Sequence, residues 1–176
     1  MDRQRGFSLP ELVFTVAIAA GLLGFGIPTF RDLGRDSART REVNQLVHAV
    51  HLARSEAIKR NGVVSLCPSI DGRQCAATGT PWDRGWIVFV NLDRDSPAVR
   101  EDGESLLRAY GRWDAGRINA NRDTLSFRPF GQSGVTATFT FCDPRGPTAA
   151  RAVIISQTGR PRVSDRSASN GPLTCV

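Results

Sequence analysis

RGFSLPELVF, residues 5–14, opens the longest apolar run of the chain and sets a carboxylate, Glu11, at its head. From Leu12 to Phe30 no side chain is charged, nineteen residues in all, close to the roughly 20 that a helix needs to cross a bilayer. A carboxylate near lipid costs free energy unless it sits at the interface or meets a partner. A plain anchor therefore accounts for the length of the run but not for Glu11. A secretion signal cut at the A-x-A of Ala17 and Ala19 would leave LLGFGIPTF near the new N-terminus of a soluble protein, with nothing to bury it.

The 176 residues suit one domain with an appendage. The formal charge is +6, and Lys59 is the only lysine beside 22 arginines, so the surface is suited to phosphate, acidic lipid or another anion. Cys67, Cys75, Cys142 and Cys175 all follow the apolar run. An even set in an exported domain reads as two disulfides. Of the three connectivities we favour Cys67–Cys75, which closes a short turn-rich loop, and Cys142–Cys175, which ties the C-terminus to a strand. There is no C-x-x-C pair, and His48 and His51 fall on a helix, so disulfides rank above zinc and no metal site is expected.

After Phe30 the chain turns polar but keeps a helical period. Val43, Leu46, Val47, Val50, Ala53 and Ala57 recur at three- and four-residue spacing, and Asn61-Gly62 reads as a stop. A continuous helix over 7–61 would be on the order of 80 Å long, with a break expected near Gly34. His48 and His51 read as packing or solvent-edge residues. Beyond Gly62 the pattern is strand-like: 63–67, 85–92, 105–110, 124–130, 135–142, 151–158 and a last piece PRVS. The expected fold is α+β, a long N-terminal helix packed on a small antiparallel β domain.

Gly6-Phe7-Ser8-Leu9-Pro10-Glu11 resembles the leader junction of type IV pilins and type II secretion pseudopilins. The resemblance implies cleavage by prepilin peptidase between Gly6 and Phe7, methylation of Phe7, and pairing of Glu11 with the N-terminal amine of a neighbouring subunit. In a low-dielectric setting that ion pair is stronger than in water, although desolvation offsets part of the gain. Family members usually carry an aliphatic residue where this chain has Pro10, which the first helical turn tolerates. The implied organisation is a leader, 1–6; a transmembrane or filament-core helix, 7–30; its amphipathic continuation, 31–61; and an exported globular domain, 62–176. The N-terminus would face the cytoplasm from the inner membrane.

ARSEAIKRN (53–61), VVSLCPS, WDRGWIVFVNLDRD and GESLLR (103–108) narrow the resemblance to the FimT/GspH minor pilin group. Catalysis finds no support: there is no G-x-S-x-G, Walker loop or H-E-x-x-H, and no nucleophile with a base. Neither an enzyme nor a cofactor is expected. The acidic stretch NLDRDSPAVREDGE (91–104) lacks the spacing and glycine of a calcium loop and reads as a solvated hairpin.

Residues 145–166 hold five arginines, Arg145, Arg151, Arg160, Arg162 and Arg166, against one acid, Asp165. In an extended segment Arg160 and Arg162 point the same way, with α-carbons roughly 6.6 Å apart at 3.3 Å per residue. Two forked guanidinium groups at that separation match successive phosphates of one strand. Solvated surface arginines are the ordinary alternative. Gly159-Arg160-Pro161-Arg162 matches the G-R-x-R motif that the resemblance associates with DNA binding in FimT-type minor pilins. It implies a pilus subunit that binds extracellular DNA without sequence preference during uptake for natural transformation, with major and minor pilins as partners. The alternative it leaves is a structural minor pilin or GspH-like pseudopilin that primes filament assembly and does not bind DNA.

Overall fold

The computed structural model describes residues 8–175, without the side chains of 23–29. Gly6 and Phe7 lie outside the described residues. One long helix, α1 (Leu9–Arg60), is followed by eight strands: β1 (Val63–Pro68), β2 (Trp86–Asn91), β3 (Leu106–Tyr110), β4 (Arg117–Ala120), β5 (Leu125–Phe127), β6 (Ala137–Cys142), β7 (Arg151–Ile155) and β8 (Pro161–Ser164). The chain divides into two compact units, one ending at Ser37 and one beginning at Ala38.

In the first unit α1 begins at Leu9, so Pro10 occupies the first turn, where its missing N–H breaks no helical bond. Leu9, Leu12, Val13, Phe14, Val16, Ile18 and Leu22 are all exposed, as is Glu11. A helix that is apolar on every side is stable only when something else covers it. The uncharged run includes residues 23–29, and among the described residues no helix is long and apolar enough to cross a membrane. The break expected near Gly34 is absent, and α1 continues through it. One glycine costs a helix only about 1 kcal/mol.

In the second unit the last turns of α1 bury Val43, Leu46, Ala49, Val50, Ala53 and Ala57 in one cluster with residues of both sheets. The helix ends in a paired cap. The Asn61 N–H donates to the Ile58 carbonyl and the Gly62 N–H to Ala57, with Asn61 at a φ of 50°. This is the hydrogen-bond pattern of a Schellman motif, with asparagine tolerating the left-handed position.

The strands form two antiparallel four-stranded sheets, ordered β3-β2-β1-β5 and β4-β6-β7-β8. Alternation along β6 turns Ala137, Phe139 and Phe141 into the core and leaves Thr138 and Thr140 on the outer face. Trp82 packs edge-on against Phe139 with ring centroids 4.8 Å apart and donates its indole N–H to the Arg122 carbonyl. β4 has no counterpart among the expected strands, and the strand expected over 124–130 is shorter because the chain turns at Arg128–Gly131.

Cys67 is bonded to Cys75, and Cys142 to Cys175. The second bond pins the C-terminal segment, whose Leu173 is buried in a small cluster with Cys142, Ala150, Ala152 and Ile154. A buried ionic cluster ties α1 to the β6–β7 connection. Arg39 Nη1 lies 3.3 Å from Asp143 Oδ2 and donates to the Ala149 carbonyl, while Arg145 grips the same carboxylate at 2.6 and 3.1 Å. His48, at the solvent edge, places Nδ1 3.0 Å from the Tyr110 hydroxyl.

Candidate nucleic-acid interface

β7 and β8 form a hairpin whose register opposes Ile154 to Arg162 and Ile155 to Pro161. Its turn is closed by the Gly159 N–H donating to the Ser156 carbonyl at 2.8 Å and by the Ser156 N–H donating to Arg160 at 3.1 Å. Gly159 has φ +74°. This is a three-residue hairpin loop with a left-handed residue in the bulge position, the place where glycine is favoured. The glycine is required for a second reason. A β-carbon there would sit 2.4 Å from the Gly131 carbonyl oxygen and 3.0 Å from the Phe127 ring. Gly159→Ala is expected to lower stability by roughly 2–3 kcal/mol, read as a fall in the urea midpoint. An unchanged midpoint would contradict this account of the turn.

The turn delivers the chain directly into Arg160, Pro161 and Arg162. Arg162 lies on the outer face of the sheet with its opposite residue Ile154, and Arg160 stands opposite Ser156 two positions along the same face. Both arginines are exposed, and among the described residues neither guanidinium makes a hydrogen bond or ion pair. Their positive charge is therefore fully available to solvent anions. β8 is an edge strand, and Pro161 removes one backbone donor at its start.

The other arginines fare differently. Arg166, on the next turn, is exposed and donates to the Asn170 carbonyl at 3.3 Å, which keeps it beside β8. Arg145 is held by Asp143 at the opposite end of β7 from the hairpin turn. Arg151 begins β7, lies half-buried opposite Phe141 and donates to the Ala150 carbonyl. Strand alternation turns it to the other face from Arg162. Arg145 and Arg151 are thus not brought together with the pair.

A neighbouring loop, residues 128–134, departs from the strand expected over 124–130. The Ser133 and Gly134 N–H groups both donate to the Gln157 carbonyl at 3.2 Å, fastening the loop to the hairpin turn. It carries exposed Arg128 and Phe130, the latter with 86% of its surface free. Beyond Arg128 an open groove of about 670 Å³ is lined by Arg94 and Arg122 together with Asp95 and Asp123. Of the acids of 91–104, Glu104 accepts from the Leu92 and Glu101 N–H groups and Asp95 from the Asn91 side-chain amide and the Val99 N–H, whereas Asp93, Glu101 and Asp102 are exposed. Among the described residues no cluster of His, Cys, Asp and Glu is arranged to hold a metal ion.

A helix packed on two antiparallel sheets, with a long apolar N-terminal extension, is the architecture of a pilin-like subunit. The chain belongs to the GspH family: the model of the family described as type II transport protein GspH matches residues 42–159. Among solved structures it is similar to the type IV minor pilin FimU of Pseudomonas aeruginosa strain PAO1 in two crystal forms, each at 22% identity and a TM-score of 0.54. The matches cover 80% of this chain and 98% of that one in the P65 form, and 84% and 99% in the P21 form. At that identity the likeness speaks for the fold. No curated protein matches the chain.

Proposed function

We propose that this chain is a minor type IV pilin that binds extracellular DNA through Arg160 and Arg162 during DNA uptake for natural transformation. The observation that carries the reading is the exposed pair of guanidinium groups, neither bonded among the described residues, at the start of the edge strand β8. Forked donors at that spacing suit successive phosphate oxygens. Arg166 adds charge beside them. Among the described residues no base-reading helix is evident, so binding is sequence-independent and rests on phosphate neutralisation.

The N-terminal half serves assembly. Prepilin peptidase removes residues 1–6, Phe7 becomes the methylated terminus, and Glu11 pairs with the terminal amine of a neighbour. Residues 7–30 hold the chain in the inner membrane and later join the filament core. The uncovered apolar side chains from Leu9 to Leu22 support this, because other pilin helices or lipid would cover them. Residues 31–61 continue the helix into the exported domain, 62–176, which the pilus carries outside. The protein works without catalysis or cofactor.

Two phosphates neutralised by the pair require log Kobs to fall with log salt at a slope of about −1.8 or steeper for duplex DNA. Fluorescence anisotropy of the full chain in neutral detergent, on mixed-sequence duplexes at several salt concentrations, measures it. Absence of binding at low salt would leave a structural minor pilin or pseudopilin that primes assembly.

A further inference from the structure

We propose that Phe130 is a base-stacking platform, so that the surface described above takes single-stranded DNA. This rests on the reading of Arg160 and Arg162 as phosphate contacts and adds a class of substrate to it. Phe130 is the most exposed large apolar side chain of the folded unit, with 86% of its surface free, whereas the other phenylalanines of the second unit, Phe89, Phe127, Phe139 and Phe141, are fully buried. A phenyl ring held in water gains nothing for folding.

Its position gives it a use. The next residue, Gly131, has its carbonyl oxygen packed against Gly159, and a β-carbon on Gly159 would lie 2.4 Å from it. Gly159 in turn leads into Arg160. Summing Cα–Cα steps and contacts, the α-carbons of Phe130 and Arg160 lie within about 14 Å. The loop is not loose: two N–H groups donate to Gln157, and Ser133 Oγ donates to the Val135 carbonyl at 2.6 Å. Gly131, at φ +71°, is packed against α1, where a β-carbon would meet Arg54 Nε at 2.8 Å and Ile58 Cδ1 at 2.9 Å. The ring is thus presented on a fixed scaffold, with Arg128 two residues before it and the Arg160 α-carbon within about 14 Å.

An exposed aromatic ring between cations is the device by which single strands are held without sequence preference. The bases stack and the cations track the backbone. Paired bases in a duplex are already stacked on each other and offer no open face, so the ring discriminates in favour of the single strand. The groove past Arg128 is of mixed charge, lined by Arg94 and Arg122 together with Asp95 and Asp123.

The test is anisotropy of the full chain in detergent on labelled oligo-dT and on a duplex of equal length, with Phe130→Ala, Phe130→Trp and the Arg160→Ala/Arg162→Ala double variant. Phe130→Ala is expected to weaken single-strand binding about tenfold and to leave duplex binding within about twofold. Phe130→Trp should retain the single-strand affinity. A 2-aminopurine base in the single strand should be quenched by the wild type and not by Phe130→Ala. Equal losses on both DNAs, or none on either, would overturn the stacking role while duplex binding through the arginines stands. If the wild type binds neither DNA, or the double arginine variant binds as well as the wild type, the reading beneath it fails instead.

Discussion

Asp143→Ala should lower the unfolding free energy by about 3–5 kcal/mol, because it removes one partner of a buried ionic cluster. The carboxylate side chain is 2% exposed and lies between Arg39, 6% exposed, and Arg145, 21% exposed. Removing it takes away the carboxylate that both the buried Arg39 guanidinium and the half-buried Arg145 guanidinium engage. It also removes the acceptor for the Arg145 backbone N–H. The cluster joins the helix to the β6–β7 connection, so the loss is felt between elements far apart in sequence. Asp143→Asn keeps the shape and part of the hydrogen bonding and should cost less, about 1–3 kcal/mol. Urea denaturation of the full chain in detergent measures both, and an alanine variant within about 1 kcal/mol of wild type would rule out this role.

The same carboxylate sets part of the acid response. The hydrogen bond from Arg145, opposed by burial, holds the Asp143 carboxyl below its ordinary value. A depressed folded value contributes stability that is present above the unfolded value, near 3.9, and is lost as pH falls through the folded one. Glu42 acts oppositely. Burial raises its carboxyl above the ordinary value against the pull of Arg41. Its contribution is full below the unfolded value, near 4.3, and is lost as pH rises through the folded one. On acidification Glu42 protonates first and relieves a penalty, and the Asp143 loss follows at lower pH. Asp143→Asn should flatten the second limb of that profile.

Local signals carried much of this structure. The helix announces itself through its uncharged run, the spacing of Val43, Leu46, Val50, Ala53 and Ala57, and the Asn61-Gly62 stop, all of which act within a few turns. β2, β6 and β7 are long enough to show apolar runs or alternation. β4 is not legible because four residues, RINA, have no period to read. It exists because β6 pairs with it and because Asp83 accepts from the Ile118 N–H. The over-long strand at 124–130 has a similar origin: Leu125 and Phe127 are core, but the chain turns at Arg128–Gly131 and ends the strand before Phe130. Arg160 and Arg162 could be paired from sequence since two residues of one strand share a face by geometry. Arg145 and Arg151 could not be sorted that way, because their separation from the pair depends on strand register and on a carboxylate at Asp143 that engages Arg145.

The account stands on the pair. Arg160→Ala/Arg162→Ala in the full chain should weaken duplex binding by roughly 100-fold at low salt, taking about tenfold for each charge-assisted phosphate contact. The dependence of log Kobs on log salt should flatten by about 2 units, one for each arginine. Stability should not change, since both side chains are exposed and neither is bonded within the described residues. The most direct measurement is therefore that slope, taken on wild type and double variant side by side with the urea midpoint as control. A weaker, flatter dependence at an unchanged midpoint is the result predicted. A double variant that binds with wild-type affinity and wild-type slope would contradict it.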